Sequence, residues 1–208
     1  MRPWSRMPAW WSDQIAELRG GVSAGRSQAM LRVMLALASL TPTGKTYTVV
    51  SSVSILMERT GLSRPMVRRA IDDISSKGWI RHNPGGGKLK SEYVIVCPHF
   101  EAGNDGYYYK IPNEEVLKFV PKISHRGEKA LAALKIYFIL LIVRPNNSRT
   151  SLINVEKLRD KAAVQWHSMR DALSILAANS LIIVNKAAGD EGFLVQNQYI
   201  IRGNIVRE

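Results

Sequence analysis

Residues 53–80, VSILMERTGLSRPMVRRAIDDISSKGWI, constrain the fold of this chain more than any other stretch. Val53, Leu56 and Met57 stand three and four apart, which places them on one face of a helix. Gly61 can take the left-handed backbone that ends such a helix, and Leu62 fills the corner behind it. Ser63 is a favourable N-cap for a second helix. Pro65 falls in that helix's first turn, where a missing N–H costs nothing. Val67, Ala70, Ile71 and Ile74 make its buried stripe, and Arg64, Arg68 and Arg69 stand on the opposite face. Gly78 stops the helix, and residues 79–81 open a strand.

A hairpin follows. Residues 81–96 read RHNPGGGKLKSEYVIV, with 84–87 as the tip and Tyr93 and Ile95 alternating with polar neighbours on the return strand. The L-x-x-x-T-G-L-S turn (56–63), the V-R-R-A-I-x-x-I helix, the K-G-W-I exit and this hairpin together resemble the winged helix-turn-helix family. The resemblance implies that the second helix enters the major groove of DNA while the hairpin, the wing, lies along the backbone. It makes Ser63, Arg64, Met66, Arg68 and Arg69 on the helix, and Arg81, Lys88 and Lys90 on the wing, candidate DNA contacts. Their chemistry suits the task. A guanidinium forks onto guanine O6 and N7, and wing lysines meet phosphates.

The same pattern returns after 102 residues. Val53 falls on Val155, Leu56 on Leu158, Leu62 on Val164 and Val67 on Met169. Ala70 falls on Ala172, Ile71 on Leu173, Ile74 on Leu176 and Ile80 on Ile182. The preceding helices align as well, Met34 with Ile136 and Leu37 with Ile139. Matched apolar positions across three helices predict a duplicated architecture. The expected fold is α+β, mainly α: two tandem winged-helix domains, each of three helices and a small β-hairpin wing. The divisions are an arm at 1–25, a first domain at 26–98, a linker at 99–106 and a second domain at 107–208.

The arm holds three of the five tryptophans, Trp4, Trp10 and Trp11, with a short helix expected over 12–18, capped by Ser12 and Asp13. Gly20, Gly21 and Gly25 then release the chain. Exposed tryptophans are a liability, so the arm packs either on its own body or on a partner. A helix over 27–40 puts Met30, Val33, Met34, Leu37 and Leu40 on one side, 41–45 turn, and 47–50 form a strand. Residues 107–110 read as a strand and 114–120 as a helix before the second copy begins.

The copies differ in chemistry. Each half carries +6, but the second helix of the second copy offers Gln165, His167, Ser168 and Arg170, with Trp166 read as a packing residue. Gln165, His167 and Arg170 are its candidate DNA contacts. Asp171 stands where Arg69 stood, and the second wing, AAGDEG at 187–192, is acidic and repels phosphate. Arg144, Arg149, Lys157, Arg159 and Lys161 carry the remaining charge, either to a DNA backbone or into solvent. The first copy is the expected principal reader. The second is a weaker DNA contact or a protein-binding module.

Totals exclude several other classes. A net charge of +12 favours a polyanionic partner. One cysteine, Cys97, rules out an internal disulfide framework, and His82, His99, His125 and His167 are scattered without metal-ligand spacing. The apolar run at 136–143 is too short to span a bilayer, and the N-terminus lacks the apolar core of a secretory signal. Asp72-Asp73 and Glu114-Glu115 are adjacent pairs, read as surface residues, and the GGGK at 85–88 lacks the spacing of a phosphate-binding loop. No catalytic residue, metal or cofactor is expected, and the location expected is the cytoplasm.

Tandem winged helices in a small basic chain resemble the initiators of theta-type plasmid replication, which bind repeated origin sequences. In that family the first domain mainly mediates dimer contacts and the second carries much of the DNA reading; here the more basic helix is the first. The resemblance implies a sequence-specific duplex-DNA-binding protein of a plasmid, phage or mobile element, a homodimer or higher assembly, acting in replication initiation or its control. A transcriptional regulator, and an adaptor using winged helices for protein contacts, are the other readings.

Overall fold

The 102-residue offset reappears in the backbone. The computed structural model describes residues 2–41, 47–86, 90–96, 108–186 and 197–205. The first half runs β1 (Trp4–Pro8), α1 (Trp11–Ala16), a 3-10 turn (Gly21–Ser23), α2 (Ala24–Leu40), β2 (Thr48–Ser51), α3 (Val53–Thr60), α4 (Arg64–Ser76), β3 (Ile80–Asn83) and β4 (Ser91–Ile95). The second runs β5 (Tyr108–Pro112), α5 (Asn113–Phe119), a 3-10 turn (Val120–Lys122), α6 (Glu128–Val143), β6 (Thr150–Ile153), α7 (Val155–Ala162), α8 (Trp166–Ala178), β7 (Ile182–Lys186) and β8 (Asn197–Ile201). The bounds of β2, α3 and α4 recur 102 residues later as those of β6, α7 and α8. The fold is α+β with small antiparallel sheets, β2-β4-β3 and β6-β8-β7 being three-stranded and β1-β5 two-stranded. None of the described helices is long and apolar enough to cross a membrane.

Local chemistry repeats with the backbone. Ser52 accepts the N–H of Ile55 at 3.3 Å, and Asn154, in the same place, accepts that of Lys157 at 2.7 Å. Each satisfies a helix donor that would otherwise have no partner. Gly61 and Ala163 both close their helices in the left-handed region, at φ 70° and 46°. Tyr93 and Tyr199 are fully buried from the third strand of each sheet. The stripe Val67, Ala70, Ile71 and Ile74 is buried as the spacing predicts, while Val53 and Met57 are only half-buried.

An unexpected element joins the halves. β1 pairs antiparallel with β5, in the register Trp4 to Pro112, Arg6 to Lys110 and Pro8 to Tyr108. The two strands open the two repeats and both end in proline, so Arg6 faces its own counterpart Lys110. That is a local two-fold. Two cation–π contacts obey it: the Arg6 guanidinium lies 4.3 Å from the Tyr108 ring centre, and the Lys110 ammonium 4.7 Å from that of Trp4. The short helices then cross over: α1 packs on α6 and α7 of the second half, and α5 on α2 and α3 of the first.

This crossing corrects several expectations. The arm's helix is Trp11–Ala16, and its cap residue is Trp10, not Ser12 or Asp13; the Ser12 hydroxyl donates to Asp13 instead, at 3.1 Å. Trp11 is fully buried, 6.4 Å from Phe138, and Trp10 Nε1 donates to the Val96 carbonyl at 2.8 Å. The arm packs on its own body. α2 starts at Ala24, so Gly25 lies inside it, and α2 is buried on nearly all sides, since α6, β1 and α5 cover what a lone domain would expose. α5 begins at Asn113 and gives way to a 3-10 turn at Val120.

Several charged groups are also buried. Arg32, 1% exposed, donates to the carbonyls of Thr60 (3.2 Å), Val120 (2.7 Å), Ile123 (2.6 Å) and Ser124 (3.1 Å). It ties the end of α3 to the crossing arm of the other half. Arg144, also buried, donates to the Lys110, Pro145 and Ser148 carbonyls, so it is not available to a DNA backbone. Burial lowers the pKa of both guanidinium groups to about 10. Asp73 is not a surface residue: it is buried and paired with Arg26, whose pKa its hydrogen bonds raise. Glu115, too, is half-buried.

Candidate nucleic-acid interface

The site is built on α3 and α4. Leu56 and Leu62 anchor the turn in the core, and Gly61 lets it close: a Cβ there would stand 3.2 Å from Pro121 Cβ and 3.3 Å from His125 Nε2. α4 then presents Arg64, Pro65, Arg68, Arg69 and Asp72 to solvent, with Met66 half-buried. Its first turn carries no acid, so nothing opposes an anion at the helix's positive end. Ser63 occupies the N-cap position, yet its hydroxyl makes no capping bond and is exposed.

The arginines do not share one surface. Arg64 and Arg68 line a hollow of about 600 Å³, whose other walls are Ser52 and Ser54 at the start of α3 and His82, Pro84, Gly85 and Ser91 of the β3–β4 hairpin. Arg64 donates to the Ser54 hydroxyl at 3.3 Å. Asp72 also lines the hollow, and its carboxylate tempers the positive field there. Arg69 lies on the other flank with Met66, beside Val22 and Arg26. The reason is helical geometry: residue 69 stands about 140° around the axis from residue 64.

The hairpin supplies the second wall. β3 pairs with β4 from Ile80–Ile95 to Asn83–Glu92, and Asn83 donates to the Glu92 carboxylate at 2.8 Å. His82 stacks on buried Tyr93, ring centres 4.9 Å apart. The two residues are cross-strand partners, so the stack ties β3 to β4. Arg81 and Lys90 are exposed. Lys88 and Gly87 of the tip lie outside the described residues. Sequence reasoning also missed Ser52, Ser54, His82 and Ser91, all of which belong to the hollow.

α8 presents the corresponding surface with other groups. Gln165, Trp166, His167 and Arg170 are exposed, while Ser168 is buried. Trp166 is 56% exposed and is therefore not a packing residue; the Arg159 guanidinium sits 5.4 Å from its ring centre. Asp171 is held below the usual carboxylate range by its hydrogen bond to Lys129 at 2.6 Å, and then by that ammonium's charge. Arg149, Lys157 and Lys161 are exposed, and Arg159 is partly neutralised by Asp160 at 2.6 Å. The acidic tip at 187–192, the linker at 99–106 and Cys97 lie outside the described residues. No protein-family model matches this chain, and no curated protein matches its sequence.

Proposed function

We propose that this chain is a sequence-specific duplex-DNA-binding protein built from two tandem winged helices, of a plasmid, phage or mobile element, acting in replication initiation or its control. One observation carries the DNA reading. Arg64 and Arg68 face a hollow walled on its far side by a hairpin, at the acid-free start of an exposed helix. A helix so flanked fits a major groove, with α4 at base edges and Arg81, Lys90 and the hairpin at phosphates. The net charge of +12 supports a polyanionic partner.

The local two-fold at Arg6 and Lys110 adds to this reading. Duplex DNA has two-fold axes of its own, and two reading helices related by such an axis suit successive grooves of one duplex. A single chain then does what paired subunits do elsewhere. The place in replication rests on the resemblance to plasmid initiators, as does homodimerisation, and the cytoplasm is the location consistent with both.

Selection from a library of randomised duplexes, followed by footprinting, tests the function. The expected result is an enriched motif protected at several copies within an origin-like region. Protection of one promoter-proximal site instead favours a regulator. No enrichment at physiological salt removes the DNA reading and leaves an adaptor.

A further inference from the structure

We propose that α8 reads A·T base pairs, so that the bound duplex is unlike at its two ends: guanine under α4, adenine and thymine under α8. The inference rests on the DNA-binding reading above and adds the base content of the second contact.

The two helices share a backbone and differ at the exposed positions of their first two turns. Ser63 becomes Gln165, Arg64 becomes Trp166 and Arg69 becomes Asp171, while Arg68 is kept as Arg170. Of the two guanidinium groups that line the hollow beside α4, one is gone, and the arginine on the other flank is replaced by an acid. The groups that replace them suit another base pair. A glutamine amide donates and accepts at once, which matches adenine N6 and N7, and an apolar surface at the groove floor meets the thymine C5-methyl.

The side chains are placed for this. Gln165 sits at the N-cap of α8 with extended backbone; it is exposed at the rim of the hollow lined by Leu18 and Leu131, and its amide is not engaged in a capping bond. Trp166 follows as the first helical residue, 56% exposed, although an indole in water is a cost that a core position would remove. Arg159 holds one side of the ring at 5.4 Å and is itself held by Asp160 through its Nε and Nη2, at 2.9 and 2.6 Å. The ring is propped outward by a fixed neighbour. Charge favours a nucleic acid over a protein as the occupant: Arg159 lies against the ring, α7 carries exposed Lys157 and Lys161 and α8 exposed Arg170, and Asp171 is neutralised by Lys129. Where Ser54 supports Arg64 in the first copy, the second carries exposed Glu156, which repels the acceptor edge of guanine.

The experiment is selection with the full chain from a library of duplexes randomised over about two helical turns. Wild type, Arg68→Ala, Gln165→Ala and Trp166→Ala are compared, with thermal melting to show that each exposed-site variant stays folded. The expected wild-type motif has two blocks. Arg68→Ala flattens the guanine block alone, and Gln165→Ala and Trp166→Ala flatten the A·T block alone. Replacing thymine by deoxyuridine in that block removes only the methyl group; it weakens wild type by about fivefold or more and leaves Trp166→Ala unchanged. A second block that is rich in G·C, or unaltered in Trp166→Ala, overturns the inference while the guanine block keeps the DNA reading intact. Loss of self-association or of a protein partner in Trp166→Ala, with DNA selection unchanged, also overturns it. No motif with wild type removes the DNA reading itself.

Discussion

α4 opens Arg64-Pro65-Met66 and α8 opens Trp166-His167-Ser168, on helices of equal length that follow equal turns and feed equivalent sheets. Behind them the cores agree almost residue for residue. In front they agree at one arginine, Arg68 with Arg170. The comparison separates what the fold requires from what it leaves open. Buried stripe, cap and aromatic strand residue are dictated by packing, and the outward positions are left for function. The same split appears inside, where Arg32 on α2 caps four carbonyls while the position matching it on α6 is Leu134, and the next residue, Lys135, reaches among the described residues only the Ala16 carbonyl, at 3.4 Å.

That internal asymmetry gives the largest expected effect. Arg32→Met leaves buried carbonyls of α3 and the crossing arm without donors, and should cost about 3–5 kcal/mol in chemical unfolding. Arg32 and Lys135 would be equivalent in role if Lys135→Met cost as much. A loss below about 1 kcal/mol for Arg32→Met would mean that water replaces the guanidinium, and that the arm is not tied through it.

At the candidate interface the comparison is sharpened by the conserved arginine. Arg68→Ala should weaken binding to a selected duplex by about 1–3 kcal/mol and relax one base preference. Arg170→Ala, beside Trp166 and the Asp171–Lys129 pair, should weaken all duplexes alike and lower the salt dependence by about one counterion. Fluorescence anisotropy against salt concentration measures both. Equal and sequence-specific losses would make the two helices chemically alike after all.

Lys135 itself should behave in the opposite sense to Arg32. It is 3% exposed, and burial lowers its pKa from 10.5 to about 8. The unfolded chain holds that proton up to the ordinary value, so between about pH 8 and 10.5 the unfolded state binds more protons and stability rises with pH. Below that window the full penalty of a buried ammonium is present. Lys135→Met should therefore raise stability at neutral pH by roughly 1–3 kcal/mol and remove the rise. A variant that melts lower, with the rise retained, would show that the amine is better solvated than its burial implies.

Which of these features the sequence foretold follows from range. The turn at Gly61, the stripe from Val67 to Ile74, the inward Tyr93 and Ile95 and the 102-residue offset are local patterns, and all are present. β1 was illegible because its partner lies 104 residues away and its sequence, WSRMP, lacks strand alternation. Arg144 and Asp73 read as surface charges because carbonyls and ions that receive them come from distant elements, and the burial of Arg32 and Lys135 leaves no local pattern for the same reason. Trp166 failed in the other direction: an aromatic residue reads as core by default, and only the exposed first turn of α8 removes it from there. The separation of Arg69 from Arg64 and Arg68 needed no distant partner, only the 100° step of a helix applied more strictly.

The smallest effect tests the two turns against each other. Gly61 and Ala163 both sit in the left-handed region, where a Cβ costs about 1–2 kcal/mol. At Gly61 the 3-10 turn of the other half presses on the site, with Pro121 Cβ at 3.2 Å from where a Cβ would stand, so Gly61→Ala adds a clash to the strain. At Ala163 the neighbouring space is a hollow of about 160 Å³ lined by Leu18, Gly20, Leu131 and Lys135, and the methyl group is tolerated. Ala163→Gly should then relieve strain without opening a cavity, stabilising the fold by about 1 kcal/mol, and Gly61→Ala should destabilise it by more than that. Chemical denaturation of the two variants measures both. A destabilising Ala163→Gly would mean that the methyl group packs against that hollow, and that the second turn is under the same pressure as the first.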